Sequence, residues 1–146
     1  MFVSCVSLSV KSGGFFLTGV TKCCRINVIF LIFTDGKPML RQGDTGDWVG
    51  TFEGHKGAVW GVDLNRNATK AATGAADFSA KVWNALSGEE ELTLTHKYIV
   101  KSVNFSADSE SLVTCSNDKL LRIFDLQHHE EPKITFTGHT SGGVKF

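Results

Sequence analysis

The sequence predicts an all-β fold made of small antiparallel sheets that repeat along the chain. Histidines recur at intervals of 41 and 43 residues, at His55, His96 and His139. Aspartates recur at intervals of 42 and 41 residues, at Asp35, Asp77 and Asp118. Apolar residues in strand-like runs keep the same spacing, as between Val62 and Val103. A period of about 40–45 residues with these landmarks is typical of a β-propeller whose blades each have four strands.

Residues 54–84 hold the most complete repeat. Three strand-like runs lie within it, at Ala58–Leu64, Lys70–Ala75 and Ala80–Trp83. Trp83 ends the third run and is expected to be buried beneath the neighbouring sheets. A buried indole N–H needs a hydrogen-bond acceptor, so the sequence should place polar side chains close to this tryptophan.

A structural hydrogen-bond chain is predicted to meet that need. His55 precedes the first strand, Thr73 lies on the middle strand, and Asp77 lies in the turn that follows it. These three residues are expected to link to Trp83. The corresponding landmarks of the later repeats are His96, Asp118 and His139. Phe124 replaces the tryptophan in the second repeat, and because it has no N–H, that unit is expected to be less stable.

The repeat period divides the chain into segments. Residues 1–34 form an atypical N-terminal segment without repeat landmarks, in which one strand is predicted at 26–33 and a turn at Gly13–Gly14. Residues 35–146 are predicted to form a partial propeller. Its parts are a half blade at 35–53, whole four-stranded blades at 54–95 and 96–137, and the start of another at 138–146.

Two whole blades with partial neighbours predict an incomplete ring, because propellers close with about 4–8 blades. The outward faces of the first and last units then lack a neighbour. Apolar residues there, among them Val103, Phe105 and Leu121, are expected to be partly exposed. Marginal stability and self-association through these open blade faces should follow.

The composition argues against several classes of function. The formal net charge is zero, so no direct binding of nucleic acid or of an anionic membrane is predicted. The cysteines at 5, 23, 24 and 115 form no CxxC motif, and no metal or other cofactor is expected. The apolar run Ile26–Phe33 is far shorter than the ~20 residues that span a bilayer. The N-terminus lacks the basic start and cleavage site of a secretory signal.

Two motifs suggest catalysis or metal binding only at first sight. Asp44-Thr45-Gly46 matches the triplet of aspartic proteases, but its flanks are polar and the repeat period places it in a hairpin loop. His128-His129 precedes Glu130-Glu131-Pro132, and adjacent side chains on an extended chain point apart. Both motifs are therefore interpreted as loop residues, and the chain is predicted not to be an enzyme.

Cations and aromatic side chains beside the landmarks are the candidate partner contacts. They are Lys56, Trp60, Phe78, Tyr98 and Lys119. Trp60 follows His55 by five residues, and the matching residue after His96 is Lys101. A position that holds Trp in one repeat and Lys in the next is not a shared core position, which favours a binding role for Trp60. Local packing of Trp60 beneath a loop is the alternative.

The runs that carry a family resemblance include Asp35–Trp48, Gly54–Gly61, Ala68–Thr73, Asp118–Leu126 and Gly138–Gly142. They closely resemble the serine/threonine kinase receptor-associated family of WD-repeat propellers, over about residues 35–142. The resemblance implies a non-enzymatic scaffold for protein–protein interaction in the cytoplasm and nucleus. It also implies association with the survival of motor neuron complex, which assembles spliceosomal ribonucleoproteins for mRNA splicing, and with transforming growth factor β receptor signalling.

Two alternatives to an active scaffold stay open at this point. One is a truncated, inactive product of the same family, and the other is an enzyme built on a propeller with acids and bases around the channel mouth. The chain also departs from the repeat consensus, because Gln42 and Asn84 replace its aspartate and Arg41 replaces its tryptophan.

Overall fold

The computed structural model describes residues 5–12, 15–21, 28–31, 36–42 and 44–138, and over these ranges every helix or strand assigned is a β-strand. This confirms the predicted all-β fold. The strands in chain order are β1 (Cys5–Ser12), β2 (Phe15–Thr21), β3 (Val28–Leu31), β4 (Met39–Gln42), β5 (Trp48–Thr51), β6 (Val59–Leu64), β7 (Lys70–Ala75), β8 (Ser79–Asn84), β9 (Glu90–Thr95), β10 (Val100–Phe105), β11 (Ser111–Ser116), β12 (Leu121–Asp125) and β13 (Ile134–Phe136).

Two four-stranded antiparallel sheets form the main body of the described chain. One sheet has the order β6-β7-β8-β9 and the other β10-β11-β12-β13, so each strand pairs with the next along the chain. We call them the first and second units. They are the four-stranded blades that the repeat period predicted, and the described sheets do not close a ring.

The residues before the first unit contain more regular structure than the sequence analysis predicted. A single strand was expected at 26–33, and β3 lies there, paired with β4 in a three-stranded sheet of order β3-β4-β5. Strands β1 and β2 also form an antiparallel hairpin. The alternation of apolar Val6, Leu8 and Val10 with polar residues is a strand signal that is independent of the repeat period. The predicted turn at Gly13–Gly14 lies outside the described residues.

The core consists of two apolar layers between successive sheets. The first layer joins Leu40 and Phe52 of the three-stranded sheet region to Val59, Leu64 and Trp83 of the first unit. The second layer joins the two units and includes Val82, Leu94, Val100, Val103, Leu112 and Phe124. Apolar burial on both faces of the first unit makes each sheet depend on its neighbours for stability.

Small residues let β6 and β10, the innermost strands of the two units, approach closely. A Cβ added at Gly61 would lie 2.9 Å from Ser102 Cα and 3.0 Å from the Lys101 carbonyl oxygen. A hydrogen bond crosses the same interface, because the Phe105 amide donates to Asp63 Oδ2 at 2.8 Å. The interface between the units is thus formed by backbone as well as by side chains.

The expected exposure of one blade face is only partly correct. Val103 is buried, at 1% exposure, because β10 packs against the first unit and Val103 belongs to the apolar layer between them. The prediction for Val103 was therefore wrong. Phe105 is half-buried and packs against the same layer as Val103, so it does not belong to the open face. Leu121 is half-buried, and Ile134 and Phe136 of the outer strand are exposed.

A search of the described residues finds no helix with the length and apolar character needed to cross a membrane.

Candidate functional site

The first unit contains a hydrogen-bond network centred on Thr73, beneath one end of the sheet. Thr73 Oγ1 lies 2.8 Å from Trp83 Nε1 and 2.6 Å from His55 Nε2. His55 Nδ1 lies 2.8 Å from Asp77 Oδ2. The structure therefore brings together all four residues that the sequence singled out in this unit: His55, Thr73, Asp77 and Trp83.

The network has one consistent assignment of protons when His55 is neutral. The Trp83 indole donates to Thr73, the Thr73 hydroxyl donates to His55 Nε2, and His55 Nδ1–H donates to Asp77. Each donor then has one acceptor, and the tautomer follows from the partners of both ring nitrogens. A protonated His55 would have no lone pair left for the Thr73 hydroxyl.

Asp77 is held by several donors besides His55. The Lys56 amide donates to its Oδ2 at 2.9 Å, and the Ser79 hydroxyl and amide donate to its Oδ1 at 2.7 and 3.1 Å. Burial alone would raise the pKa of Asp77, but the hydrogen bonds from Ser79, Lys56 and His55 outweigh it and lower that pKa. Asp77 is thus a carboxylate that ties the His55 loop to the turn before β8.

Two residues that the sequence analysis did not select complete the first unit. Phe52 packs on Trp83 with ring centroids 5.6 Å apart and is fully buried. Lys81 donates from Nζ to Glu90 Oε2 at 2.6 Å and to Thr93 Oγ1 at 2.8 Å. The opposite charges of Lys81 and Glu90 were visible in the sequence, but the strand register that joins them was not.

The second unit departs from this pattern at Asp118. His96 Nε2 lies 2.9 Å from Thr114 Oγ1, as in the first unit, but His96 Nδ1 contacts the Leu94 carbonyl oxygen at 3.2 Å. Asp118 Oδ2 instead accepts from Arg122 Nη2 at 2.6 Å. The predicted link from Asp118 to His96 is therefore replaced by an ion pair. His139, the third predicted histidine, lies outside the described residues.

Acidification is expected to destabilise the fold through His55 and His96. Burial lowers the pKa of both histidines, whereas an unfolded histidine titrates near ~6.5. Just below that value the unfolded chain binds protons that the folded chain does not, so stability present above about pH 6.5 is lost as the pH falls. Chemical denaturation at pH values on either side of ~6.5 measures this loss.

A His55→Gln variant is the control for the pH effect and should lose less stability on acidification than the parent chain. Equal or greater stability of the parent chain at the lower pH would contradict the assignment of a neutral buried His55.

The candidate partner contacts cluster at the end of the sheets that carries the landmark turns. Phe78 and Tyr98 are exposed, at 47% and 55%, and Lys56 and Lys119 are exposed beside them. The backbone links these segments, since the His96 amide donates to the Phe78 carbonyl at 2.8 Å and the Ser116 hydroxyl to the Tyr98 carbonyl at 3.1 Å. We call Lys56, Trp60, Phe78, Tyr98 and Lys119 the contact face.

Trp60 lies on the innermost strand of the first unit with 41% of its surface exposed. Lys101 Nζ lies 3.6 Å from the centroid of its ring, a cation–π geometry. Trp60 and Lys101 occupy matching positions in successive units, and these two side chains are in contact with each other. Trp60 is outside the apolar core.

Phe78 and Lys119 share an unusual backbone conformation. Both have φ near +66°, each directly after the turn aspartate of its unit. Residues with bulky side chains rarely adopt this region, which favours glycine and asparagine. The chain therefore holds an aromatic and a cationic side chain outward at matching turns, at some cost in backbone energy.

The described residues give no support to a metal or catalytic site. None of them form a cluster of three or more potential metal ligands. Asp44 lies in the turn before β5, where its Oδ1 accepts from the Thr45 amide at 2.9 Å. Burial raises the pKa of Cys115 to about 11, which leaves its thiol protonated and unreactive near neutral pH.

Comparison with known proteins agrees with these observations. The WD domain, G-beta repeat family (WD40) matches residues 46–84 and 88–125. Serine-threonine kinase receptor-associated protein of Gallus gallus is 68% identical over 108 residues, which is 74% of this chain and 31% of that protein. The protein of the same name in Dictyostelium discoideum is 49% identical over 107 residues, covering 73% of this chain and 36% of its own length.

A more distant relative has a different name. Eukaryotic translation initiation factor 3 subunit I of Caenorhabditis elegans is 32% identical over 115 residues, covering 79% of this chain and 35% of that protein. The chain thus spans about a third of the length of the curated relatives it matches. The predicted resemblance to the receptor-associated proteins is confirmed, and the chain belongs to the WD-repeat family.

Proposed function

We propose that this chain is a non-enzymatic WD-repeat scaffold that binds other proteins through the contact face. The observation that carries the proposal is the group of exposed aromatic and cationic side chains at the landmark turns. Aromatic anchors surrounded by charged groups are typical of protein interfaces. The buried histidines favour a structural role, because Thr73 and Asp77 occupy both ring nitrogens of His55.

The proposed partners follow from the relatives. Proteins named serine-threonine kinase receptor-associated protein match this chain at up to 68% identity, so the intracellular part of such a receptor is the first partner class, in transforming growth factor β signalling. The second is the survival of motor neuron complex, through which the scaffold would serve spliceosomal assembly and mRNA splicing. Both roles place the chain in the cytoplasm and nucleus, without direct binding of nucleic acid or membrane.

Binding experiments with purified partners test the contact face. Phe78→Asn should weaken binding by about tenfold or more, because it removes an exposed aromatic anchor. Its thermal stability should be equal or higher, since asparagine tolerates positive φ. Trp60→Ala should likewise weaken binding while leaving stability nearly unchanged. Surface plasmon resonance measures both effects, with the immobilised receptor domain and separately with the survival of motor neuron complex.

Leu86→Ser is the matched control for these variants. Leu86 is 84% exposed and lies in the turn after β8, at the other end of the sheet, so its replacement should not affect binding. Normal binding by Phe78→Asn and Trp60→Ala would contradict the proposed face. Unfolding of Trp60→Ala would show that Trp60 is a packing residue instead.

Self-association is the expected behaviour of the isolated chain. Leu121 is half-buried and Ile134 and Phe136 are exposed. An apolar sheet face that no other described strand covers favours pairing with another molecule. Size-exclusion chromatography with light scattering should show oligomers whose share rises with concentration. A monomer that unfolds sharply above ~65 °C, beyond the usual range for such domains, would contradict this expectation and favour a self-sufficient core.

A further inference from the structure

A cleft of about 440 Å³ lies between the outermost strand of the first unit and the second unit. One wall is the end of β9 with the residues that follow it, and the other is β12 with the loop that leads to β13. Its principal lining residues are Leu94, Lys97, Arg122, Phe124, Glu130 and Pro132. The cleft thus combines an apolar floor with charged groups at its rim.

The first unit shows how the matching position is filled when the outer strand is longer. Lys81 on β8 corresponds to Arg122 on β12, 41 residues later. Lys81 is buried and paired with Thr93 in the strand register, and its Nζ contacts Glu90 Oε2 at 2.6 Å. A carboxylate from the outer strand therefore neutralises the cation at this position in the first unit.

The second unit lacks that carboxylate. Arg122 is paired with Thr135 in the register, just as Lys81 is with Thr93. Strand β13 has only three residues, against six in β9. The glutamates that precede it, Glu130 and Glu131, are exposed. Arg122 turns instead to Asp118, which it contacts through Nη2.

One nitrogen of Arg122 is left without a partner as a result. Nη1 is buried and makes no hydrogen bond to any of the described residues. Buried donors in native proteins are almost always paired, so an unpaired guanidinium nitrogen points to a missing acceptor. A guanidinium binds carboxylates through two nitrogens in parallel, and here only Nη2 is engaged.

We propose that the cleft binds a carboxylate side chain of an extended partner peptide, in the place that Glu90 takes in the first unit. A small rotation of the guanidinium would give Nη1 this acceptor while Nη2 keeps Asp118. Lys97 would add positive charge at the rim, and Leu94, Phe124 and Pro132 would contact an apolar neighbour of the acidic residue. The proposal rests on the function of the chain as a protein-binding scaffold.

The charges of the cleft favour a carboxylate over a phosphate. Asp118 already neutralises much of the charge of Arg122, and Glu130 lines the same cleft. A singly charged carboxylate needs one acceptor site beside Arg122, whereas a phosphate brings nearly two negative charges at neutral pH. Repulsion from Asp118 and Glu130 therefore discriminates between the two ligands.

Titration of the isotope-labelled chain with a blocked pentapeptide, Gly-Leu-Glu-Leu-Gly, tests the proposal by NMR. We expect resonance shifts in residues 93–97 and in the Arg122 side chain. The same peptide with Gln in place of Glu should bind about tenfold more weakly, since it lacks the charge-assisted hydrogen bond. A phosphoserine peptide and inorganic phosphate form separate arms and should bind more weakly than the Glu peptide.

Variants identify the groups that bind the peptide. Arg122→Gln should abolish the difference between the Glu and Gln peptides. Because this change also removes the partner of Asp118 and can impair folding, two rim variants provide an independent test. Glu130→Gln should strengthen binding of the Glu peptide, and Lys97→Gln should weaken it, each by about threefold. Phe78→Asn, a contact-face variant, should leave peptide binding unchanged, which separates this site from the proposed scaffold face.

Several results would overturn the proposal. One is equal binding of the Glu and Gln peptides. Another is a resonance shift with phosphate or the phosphopeptide that equals or exceeds the shift with the Glu peptide. A third is unchanged binding of the Glu peptide in both rim variants. Loss of binding in Phe78→Asn would place the peptide on the contact face. Failure at the cleft with normal receptor binding would refute this site and leave the scaffold function standing.

Discussion

Thr73→Val is expected to lower the free energy of unfolding by about 2–4 kcal/mol, because the change leaves two buried polar groups without a partner. The Thr73 hydroxyl accepts from Trp83 Nε1 and donates to His55 Nε2. Valine has nearly the same shape, so packing is kept and only the hydrogen bonds are lost. Urea denaturation followed by tryptophan fluorescence and by circular dichroism measures the change.

The second unit provides the matched control for this prediction. Thr114 is buried like Thr73, but Phe124 has no N–H to donate, so among the described residues its hydroxyl hydrogen-bonds only to the ring of His96. Thr114→Val should therefore cost about half as much, ~1–2 kcal/mol for a single unpaired group. Equal losses in the two variants, or a Thr73→Val protein as stable as the parent chain, would show that the indole bond contributes nothing measurable.

Gly61→Ala is the second change with a large expected effect, a loss of about 2–3 kcal/mol from overpacking. The added Cβ would lie 2.9 Å from Ser102 Cα and 3.0 Å from the Lys101 carbonyl oxygen. Both contacts are to backbone, which cannot rotate away as a side chain can. The two units would have to separate slightly, and thermal unfolding would report the loss as a lower midpoint.

Gly50→Ala is the control for steric crowding. Gly50 also lies on a strand, β5, but a Cβ there would meet no atom within 4 Å. Its replacement should be close to neutral, or slightly stabilising because alanine restricts the unfolded chain. If the Gly61 variant is as stable as the Gly50 variant, the innermost strands of the two units are not in close contact in solution.

The repeat period predicted the first and second units well because a periodic sequence shows several times which residues are buried. The run at Lys70–Ala75 coincides with β7, and the run at Ala58–Leu64 contains β6. The first-unit hydrogen-bond network could also be anticipated, since one buried indole requires an acceptor nearby. Requirements of this kind are visible in a single sequence.

Features that depend on which of two side chains binds a shared hydrogen-bond partner could not be predicted. Arg122 of the second unit occupies the position that Lys81 holds in the first. Its longer, forked side chain pairs with Asp118, so that Asp118 does not bond to His96 as Asp77 does to His55. The packing of Phe52 on Trp83 depends on how the three-stranded sheet lies against the first unit. Neither repeat spacing nor strand alternation carries this information.

The hydrogen bond from the Phe105 amide to Asp63 has a consequence for how the chain opens. Phe105 lies on β10, whereas its acceptor, Asp63 Oδ2 at 2.8 Å from the amide nitrogen, belongs to the preceding sheet. Exchange of this amide proton with deuterium therefore requires the two sheets to part, even when each sheet stays intact. Phe105 is thus a natural reporter of blade separation, while the Trp83 indole reports the unfolding of one blade from within.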